Sequence, residues 1–355
     1  MATRGADKAL RRVLGTELPL IQAPMAGVQG SMLAVAVCNA GGLGSLPCAM
    51  LTVDTMRGEL AAIRAGTSGP YNVNFFCHRL PAPSANGEAV WRMLLGRYFI
   101  EYGIDVDSIP AGPGRAPFTA EWADALEEFA PRVVSFHFGL PPPDLLARVK
   151  GWGSKILASA TTVDEARWLE HSGVDAVIAQ GVEAGGHRGI FLSDDVSTQL
   201  GTFSLVPQIV RAVTVPVIAA GGIADAAGVA AALALGAAGV QVGTAYLLCP
   251  EATTSDVHRA ALKSAAVRET ALTNLFTGRP GRGIVNRLMR ELGPLHALVP
   301  AFPLAAAAIL PLRARAEAQG KGDFSPLWCG ENASGCKEIP AAALTRELAL
   351  GFLVN

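Results

Sequence analysis

Eight short apolar runs, each followed by a stretch rich in alanine, leucine or glutamate, recur along most of the chain. The runs are rich in valine, isoleucine and leucine and end in glycine or polar residues, which is typical of buried parallel strands. The predicted strands are residues 18–23, 42–46, 71–75, 133–137, 155–159, 176–180, 217–220 and 240–243. Because eight βα units close naturally into a barrel, we predict an α/β fold of the (β/α)8 TIM-barrel type.

An open, doubly wound sheet is the alternative architecture for such a pattern. It often carries G-x-G-x-x-G after its first strand, and that signature is absent here. Helices are expected between strands, as at residues 162–172 and 229–235, where apolar side chains recur at helical spacing or fill the whole segment.

Two regions interrupt the alternation. Residues 77–131 form a long connection with a helical pattern at 89–100, and such connections often act as lids. Residues 250–320 are mostly helical in pattern and are expected to lack a strand partner. We therefore predict a barrel at 1–249, a smaller, mainly helical cap domain at 250–320 near the barrel mouth, and a segment at 321–355 that returns to the barrel through a helix at 341–351.

Composition excludes several classes of partner. Half of the residues are hydrophobic, the formal net charge is −1, and no long basic block is present, which argues against nucleic-acid binding. The apolar segment 297–312 is broken by prolines and is too short to span a membrane. The six cysteines show no pairing or metal-finger spacing, and the first residues resemble no signal peptide. We expect a cytoplasmic protein, a monomer or homodimer.

A glycine-rich turn that follows the sixth predicted strand carries one histidine, in the order Gly185-Gly186-His187. Glycines let backbone approach a ligand, and a histidine can act as acid, base or cation near neutral pH. The turn can also be purely structural, with His187 at the surface. Active sites of such barrels lie at the carboxyl ends of the strands, so we predict that His187 is catalytic.

The ends of the seventh and eighth strands carry Gly221-Gly222 and Gly243-Thr244. Barrels often bind phosphate with these two loops, although the same glycines can simply make tight turns. Asn74 and Gln180 also end strands and can bind the edge of a flat heterocycle, or else satisfy loop backbone. Together these features favour FMN as the cofactor. Pyridoxal phosphate is excluded, because the chain offers no strand-end lysine for a Schiff base.

A second histidine, His137, ends the fourth predicted strand between two phenylalanines. We predict that it shares the pocket of His187, although a histidine in this setting is often a core residue. No carboxylate or cysteine joins the two histidines at strand ends, so we predict no metal site.

These motifs resemble those of the nitronate monooxygenase family over nearly the whole chain. The matching segments include residues 22–27, 41–44, 72–75, 134–139, 180–189, 220–222, 241–244 and 276–280. The resemblance implies an FMN-containing barrel with a small second domain over the flavin. It implies FMN contacts from Ala23, Pro24, Met25, Asn74, Gln180, Gly185, Gly222, Gln241, Val242, Gly243 and Thr244. The glycine turns described above add Gly186 and Gly221 to the predicted cofactor site.

The resemblance also implies a reaction, in which an alkyl nitronate is oxidised by O2 to a carbonyl compound and nitrite. Propionate 3-nitronate is the substrate expected for the class I branch, and the flavin takes one electron from it. His187 would then be the active-site histidine, as anion-binding group or base, and His137 would position the substrate. The tail around Trp328 matches the family's closing motif only loosely.

Two other functions fit the same features. A related FMN barrel could accept hydride from NAD(P)H, as in quinone reductases and enoyl-acyl-carrier reductases. A barrel that binds phosphate without redox chemistry would contain no flavin.

Overall fold

The barrel contains eight parallel strands with helices packed around them. The computed structural model describes residues 3–82, 84–109 and 115–353. The barrel strands are β1 (Leu20–Gln22), β2 (Gly44–Pro47), β3 (Tyr71–Phe76), β4 (Val133–His137), β5 (Lys155–Ala160), β6 (Ala176–Gln180), β8 (Val217–Ala220) and β9 (Gly239–Val242). Their order in the sheet is β1-β9-β8-β6-β5-β4-β3-β2. Reciprocal backbone hydrogen bonds of 2.9 Å between Leu43 and the β1 residues Leu20 and Gln22 close the barrel. The predicted (β/α)8 fold is confirmed, and each predicted strand overlaps an observed one.

The helices expected at 89–100, 162–172, 229–235 and 341–351 each overlap an observed helix. The observed helices are α1 (Thr3–Leu14), α2 (Ser31–Cys38), α3 (Val53–Gly66), α4 (Ala85–Glu101), α5 (Ala120–Glu127), α6 (Pro143–Gly151), α7 (Val163–His171), α8 (Thr202–Ala212), α9 (Ala226–Ala234), α10 (Asp256–Leu262), α11 (Arg287–Leu292), α12 (Ala306–Glu317) and α13 (Ala341–Ala349). Thr162 caps α7 by accepting a hydrogen bond from the Glu165 backbone, so the helix begins where predicted. The final helix α13 packs on α2 and α9 of the outer ring, as expected.

Strand periodicity decides which side chains reach the barrel interior. In β6, Ala176 and Ile178 belong to the inner cluster, whereas Val177 and Ala179 pack outward against helices. Gln180 continues the inner face at the strand's carboxyl end. The alternation therefore brings polar strand-end side chains into one space above the apolar interior.

Helix α1 closes the opposite end of the barrel. Its residues Leu10 and Leu14 are fully buried and pack with the inner strand residues Val133 and Ile218. Because the amino-terminal end is filled in this way, the open space lies at the carboxyl ends of the strands.

A second hydrophobic cluster lies outside the barrel and forms the core of a cap. It joins α4, through Trp91, Leu95 and Phe99, to α11 and α12. The Trp91 indole N–H donates to the Ala305 carbonyl at 3.2 Å. The helical part of the long connection 77–131 therefore packs into the cap, while α5 packs on the barrel helices α3 and α6.

The cap also contains a small antiparallel sheet, so the prediction that residues 250–320 lack a strand partner is wrong. Strands β10 (Thr270–Thr273) and β11 (Gly281–Ile284) pair with each other, and β11 pairs with β7 (Gly186–His187). Strand β11 was not predicted because two of its four residues, Gly281 and Gly283, are glycine, which is rare in strands. The limits predicted for the three segments stay predictions.

The described helices include none that is both long and apolar enough to cross a bilayer. All six cysteines are free thiols. The cytoplasmic location and the monomer or homodimer state stay predictions.

Candidate active site

A large cavity opens at the carboxyl ends of the barrel strands and extends under the cap. Its empty volume is about 1320 Å³ including the open mouth, enough for a cofactor together with a small substrate. The structure brings nearly all the predicted site residues to its wall: Ala23, Pro24, Met25, Asn74, His137, Gln180, Gly185, Gly186, His187, Gly221, Gly222, Gln241, Gly243 and Thr244. Val242 is the exception, because its side chain is buried outside the cavity and its carbonyl accepts from the Ala23 N–H.

The turn that carries His187 is held rigidly between the barrel and the cap. Gly186 and His187 form β7, in register with Arg282 and Gly281 of β11. A side chain at Gly185 would place its Cβ 2.6 Å from the Gly330 nitrogen, so only glycine permits this close approach. The fully buried Arg188 donates to the Gly181 and Gln180 carbonyls, each at 2.7 Å. The position of the imidazole is therefore fixed from several sides.

Both polar atoms of the Gln180 side-chain amide form hydrogen bonds with the backbone of the His187 loop. Its Nε2 donates to the His187 carbonyl at 3.0 Å, and its Oε1 accepts from the Gly189 N–H at 2.7 Å. Asn74 differs, because its Nδ2 donates to the Ser135 hydroxyl at 2.9 Å while its Oδ1 bonds to no described residue. Asn74 thus keeps an acceptor for a ligand, whereas the polar atoms of Gln180 are used within the protein.

His137 also supports the His187 loop. Its Nε2 lies 3.2 Å from the His187 carbonyl and its Nδ1 lies 3.0 Å from the Ser159 hydroxyl. Burial lowers the pKa of His137 to about 3, so the ring is neutral. A carbonyl only accepts, so Nε2 carries the proton and Nδ1 accepts from Ser159. With both nitrogens engaged, a contact with substrate would involve only the ring's carbon atoms.

One ring nitrogen of His187 has no hydrogen-bond partner among the described residues. Its Nε2 lies 2.9 Å from the Thr277 hydroxyl, and its Nδ1 makes no hydrogen bond to a described residue. Burial lowers the pKa of His187 well below its usual value, and the nearby charge of Arg115 lowers it further. The resting imidazole is therefore neutral, which favours a hydrogen-bond donor or a base over a cation.

Aromatic rings surround His187. Ring centroids of Trp328 and Phe302 lie 5.2 and 5.5 Å from that of His187, and those of Phe76 and Phe138 lie 6.1 and 6.0 Å from it. Trp328 lines the cavity, so the tail that matched its motif only loosely does reach the site. This apolar wall limits access of water to the imidazole.

The loops after β8 and β9 form a backbone cradle on the side of the cavity away from β3 and β4. Gly221 has φ +116°, and a Cβ there would lie 2.8 Å from the Thr202 hydroxyl. Gln241, beside this cradle, has a buried Oε1 with no partner among the described residues. A buried, unsatisfied acceptor is costly unless a ligand N–H meets it. Glycine backbone together with this acceptor suits a phosphorylated, flat ligand.

Several polar residues at the site were missed by sequence analysis, among them Arg115, His78 and His258. Arg115 and His258 line the cavity, and His78 lies behind it with its ring centroid 4.7 Å from that of Phe302. Burial lowers the pKa values of His78 and His258 to about 4. No strand end marks these residues in the sequence, because they lie in the connection after β3 and in a helix beyond the barrel. Arg115 is a single arginine in a glycine- and proline-rich loop, which gives no local signal.

The described residues contain no group of three histidine, cysteine, aspartate or glutamate side chains that could hold a metal ion.

Comparisons with known proteins agree with this architecture. The family model for nitronate monooxygenase matches residues 7–351. The chain is 42% identical to a nitronate monooxygenase of Paraburkholderia phytofirmans, covering 98% of this chain and 96% of the relative, and 40% identical to one of Pseudomonas aeruginosa, covering 95% and 97%.

Solved structures of related enzymes are also similar to this chain. A nitroalkane oxidase from Streptomyces ansochromogenes superposes with a TM-score of 0.87 at 38% identity, over 97% of this chain and 98% of the other. FabK from Thermotoga maritima superposes with a TM-score of 0.73 at 28% identity, over 97% and 95%. The match of the family model to almost the whole chain, with relatives at 42% and 40% identity, shows that the chain is an oxidoreductase that belongs to the nitronate monooxygenase family.

Proposed function

We propose that the protein binds FMN and oxidises alkyl nitronates with O2 to a carbonyl compound and nitrite, with propionate 3-nitronate as a substrate. The single observation that carries this proposal is the neutral His187, whose Nδ1 bonds to no described residue and which lines one cavity together with the glycine turns after β8 and β9. Family membership supports the reaction class.

The residues at the cavity wall fit FMN. Gly221, Gly222 and the Gly243-Thr244 turn offer backbone N–H groups to a phosphate at the ends of β8 and β9. The unpartnered Oε1 of Gln241 offers an acceptor to a ring N–H, and Asn74 offers its Oδ1. When bound, FMN supplies the acceptor for one electron from the nitronate.

His187 binds the anionic end of the substrate in this proposal. With Nε2 accepting from Thr277, the neutral ring carries its proton on Nδ1 and can donate to a nitronate oxygen. With Nε2 donating to Thr277 instead, Nδ1 is a bare acceptor and can take the α-proton of a neutral nitroalkane. A nitronate is already deprotonated, so its oxidation needs only the first arrangement.

The test is the visible spectrum of the purified protein together with turnover of propionate 3-nitronate. We expect flavin absorption bands, and release of nitrite with consumption of O2. A colourless protein with an empty cofactor site, or a yellow protein that releases no nitrite, would contradict the proposal.

The similarity to FabK keeps a second function open, in which the flavin is reduced by NAD(P)H. Mixing the protein with NADH or NADPH without O2 separates the two functions. Rapid bleaching of the flavin by a nicotinamide, with none by a nitronate, would favour the reductase.

A further inference from the structure

Arg115 brings a positive charge to the cavity without a carboxylate to balance it. Its side chain is half-buried and lines the cavity, and its Nη2 lies 3.8 Å from the Met50 sulfur. The guanidinium carbon lies 5.9 Å from the centre of the Phe302 ring. Burial lowers the pKa of Arg115 to about 10, and the only charge that contributes is the like charge of Arg313.

Among the residues that the structure describes, no carboxylate pairs with Arg115. Residues 110–114, which precede it, carry no acidic side chain. A partly buried cation without a partner costs free energy. An anionic group bound beside Arg115 would offset that cost.

The position of Arg115 separates it from the phosphate cradle. It belongs to the connection between β3 and β4, which lies diametrically across the eight-stranded barrel from β8 and β9. It lies on the His187 side of the cavity, because its guanidinium carbon is 5.9 Å from the centre of the Phe302 ring and that ring's centroid is 5.5 Å from that of His187. An anion at Arg115 is thus a part of the substrate and not the phosphate of the cofactor.

A second arginine near His187 is already engaged. Arg279 donates to the Ile190 carbonyl, lies 4.0 Å above the centre of the Phe138 ring, and does not line the cavity. Its role is to hold the loop around His187, so Arg115 is the cation that a ligand in the cavity meets.

We propose that Arg115 binds a carboxylate of the substrate and so selects nitronates that carry a second negative charge. The inference rests on the proposed function and names the residue that determines its substrate preference. His187 and Arg115 then hold the two ends of a short dianion, the nitronate at the imidazole and the carboxylate at the guanidinium.

The test compares propionate 3-nitronate with propyl-1-nitronate, in which a methyl group replaces the carboxylate. Arg115→Met should lower kcat/KM for propionate 3-nitronate about 10- to 100-fold, mainly through KM, because a charge-assisted hydrogen bond is lost. The value for propyl-1-nitronate should change less than about 3-fold, the size of an ordinary surface effect. Arg115→Lys should recover part of the loss. Arg79→Met, which removes an exposed charge from the same connection, is the matched control and should leave both substrates unchanged.

A binding measurement separates this inference from the proposed function. Calorimetry with 3-nitropropionate, which has the carboxylate but a neutral nitro group, needs no turnover. Binding at least 10-fold weaker in Arg115→Met than in the unmodified protein supports the role of Arg115, even if nitrite release fails and overturns the proposed function. Equal binding by both proteins, or equal losses of kcat/KM on both nitronates, overturns the role of Arg115.

Discussion

Replacement of His187 by asparagine should affect neutral nitroalkanes far more than nitronates. The neutral imidazole, with Nε2 next to Thr277, can take a proton at Nδ1. A positioned base contributes about 10²- to 10⁴-fold, so turnover of nitroethane should fall by that factor. Ethylnitronate needs only a hydrogen-bond donor, worth about 0.5–1.5 kcal/mol, so its turnover should fall about 2- to 10-fold.

The assay is nitrite release from nitroethane and ethylnitronate by both proteins, normalised to bound flavin. Thr277→Val is the companion variant, since it frees Nε2 without removing the imidazole. The decrease in turnover in Thr277→Val should be smaller than that in His187→Asn on both substrates. Because the pKa of His187 lies well below 6.5, its ionisation should not affect kcat/KM between pH 6.5 and 8. Equal losses on the two substrates in His187→Asn would refute the base assignment.

Three further predictions concern groups around the cavity. The pKa values of His78 and His258 are lowered to about 4, so the folded protein binds fewer protons than the unfolded chain below pH 6.5. The free energy of unfolding in urea should therefore fall by about 2 kcal/mol for each between pH 7 and 5, and His78→Phe should reduce that fall; an unchanged slope would contradict it. Gly221→Ala should weaken FMN retention at least about 10-fold in equilibrium dialysis, because its positive φ and the nearby Thr202 hydroxyl leave no room for a Cβ. Gly96→Ala, in an open helix position, is the control and should retain FMN; equal retention by the two variants would refute the cradle. Ser159→Ala removes the donor to His137 Nδ1, so kcat on nitronates should drop about 2- to 10-fold with little change in flavin content. Unchanged kinetics would show that the position of the His187 loop does not depend on this hydrogen bond.

The barrel could be predicted because each strand carries its own signal. The run 176–180 is apolar, bounded by polar residues and followed by glycine, and it forms β6 with the same limits. Strand alternation then explains why His137 and Gln180 reach one cavity, since both end inner-facing rows. The roles of individual residues are less visible, because Gln180 and His137 use their polar atoms on the His187 loop, a contact between chain segments that no local pattern shows.

The cap was harder to predict, since its parts are distant in sequence. Strand β11 contains two glycines and pairs with the two-residue β7, so neither has a periodic apolar pattern. Helix α4 joins the core of α11 and α12 across almost two hundred residues. The proposed role of Arg115 in substrate binding could not be predicted from the sequence either. It depends on the position of Arg115 opposite β8 and β9, which only closure of the whole barrel produces.

The central claim is that a flavin in this cavity is reduced by a nitronate, and anaerobic mixing tests it most directly. The flavin spectrum of the purified protein is followed without O2 after addition of propionate 3-nitronate, and separately after addition of NADH or NADPH. We predict loss of the oxidised flavin bands with the nitronate and none with the nicotinamides. Reduction by NADH or NADPH alone, with an unchanged spectrum in the presence of the nitronate, would contradict the account.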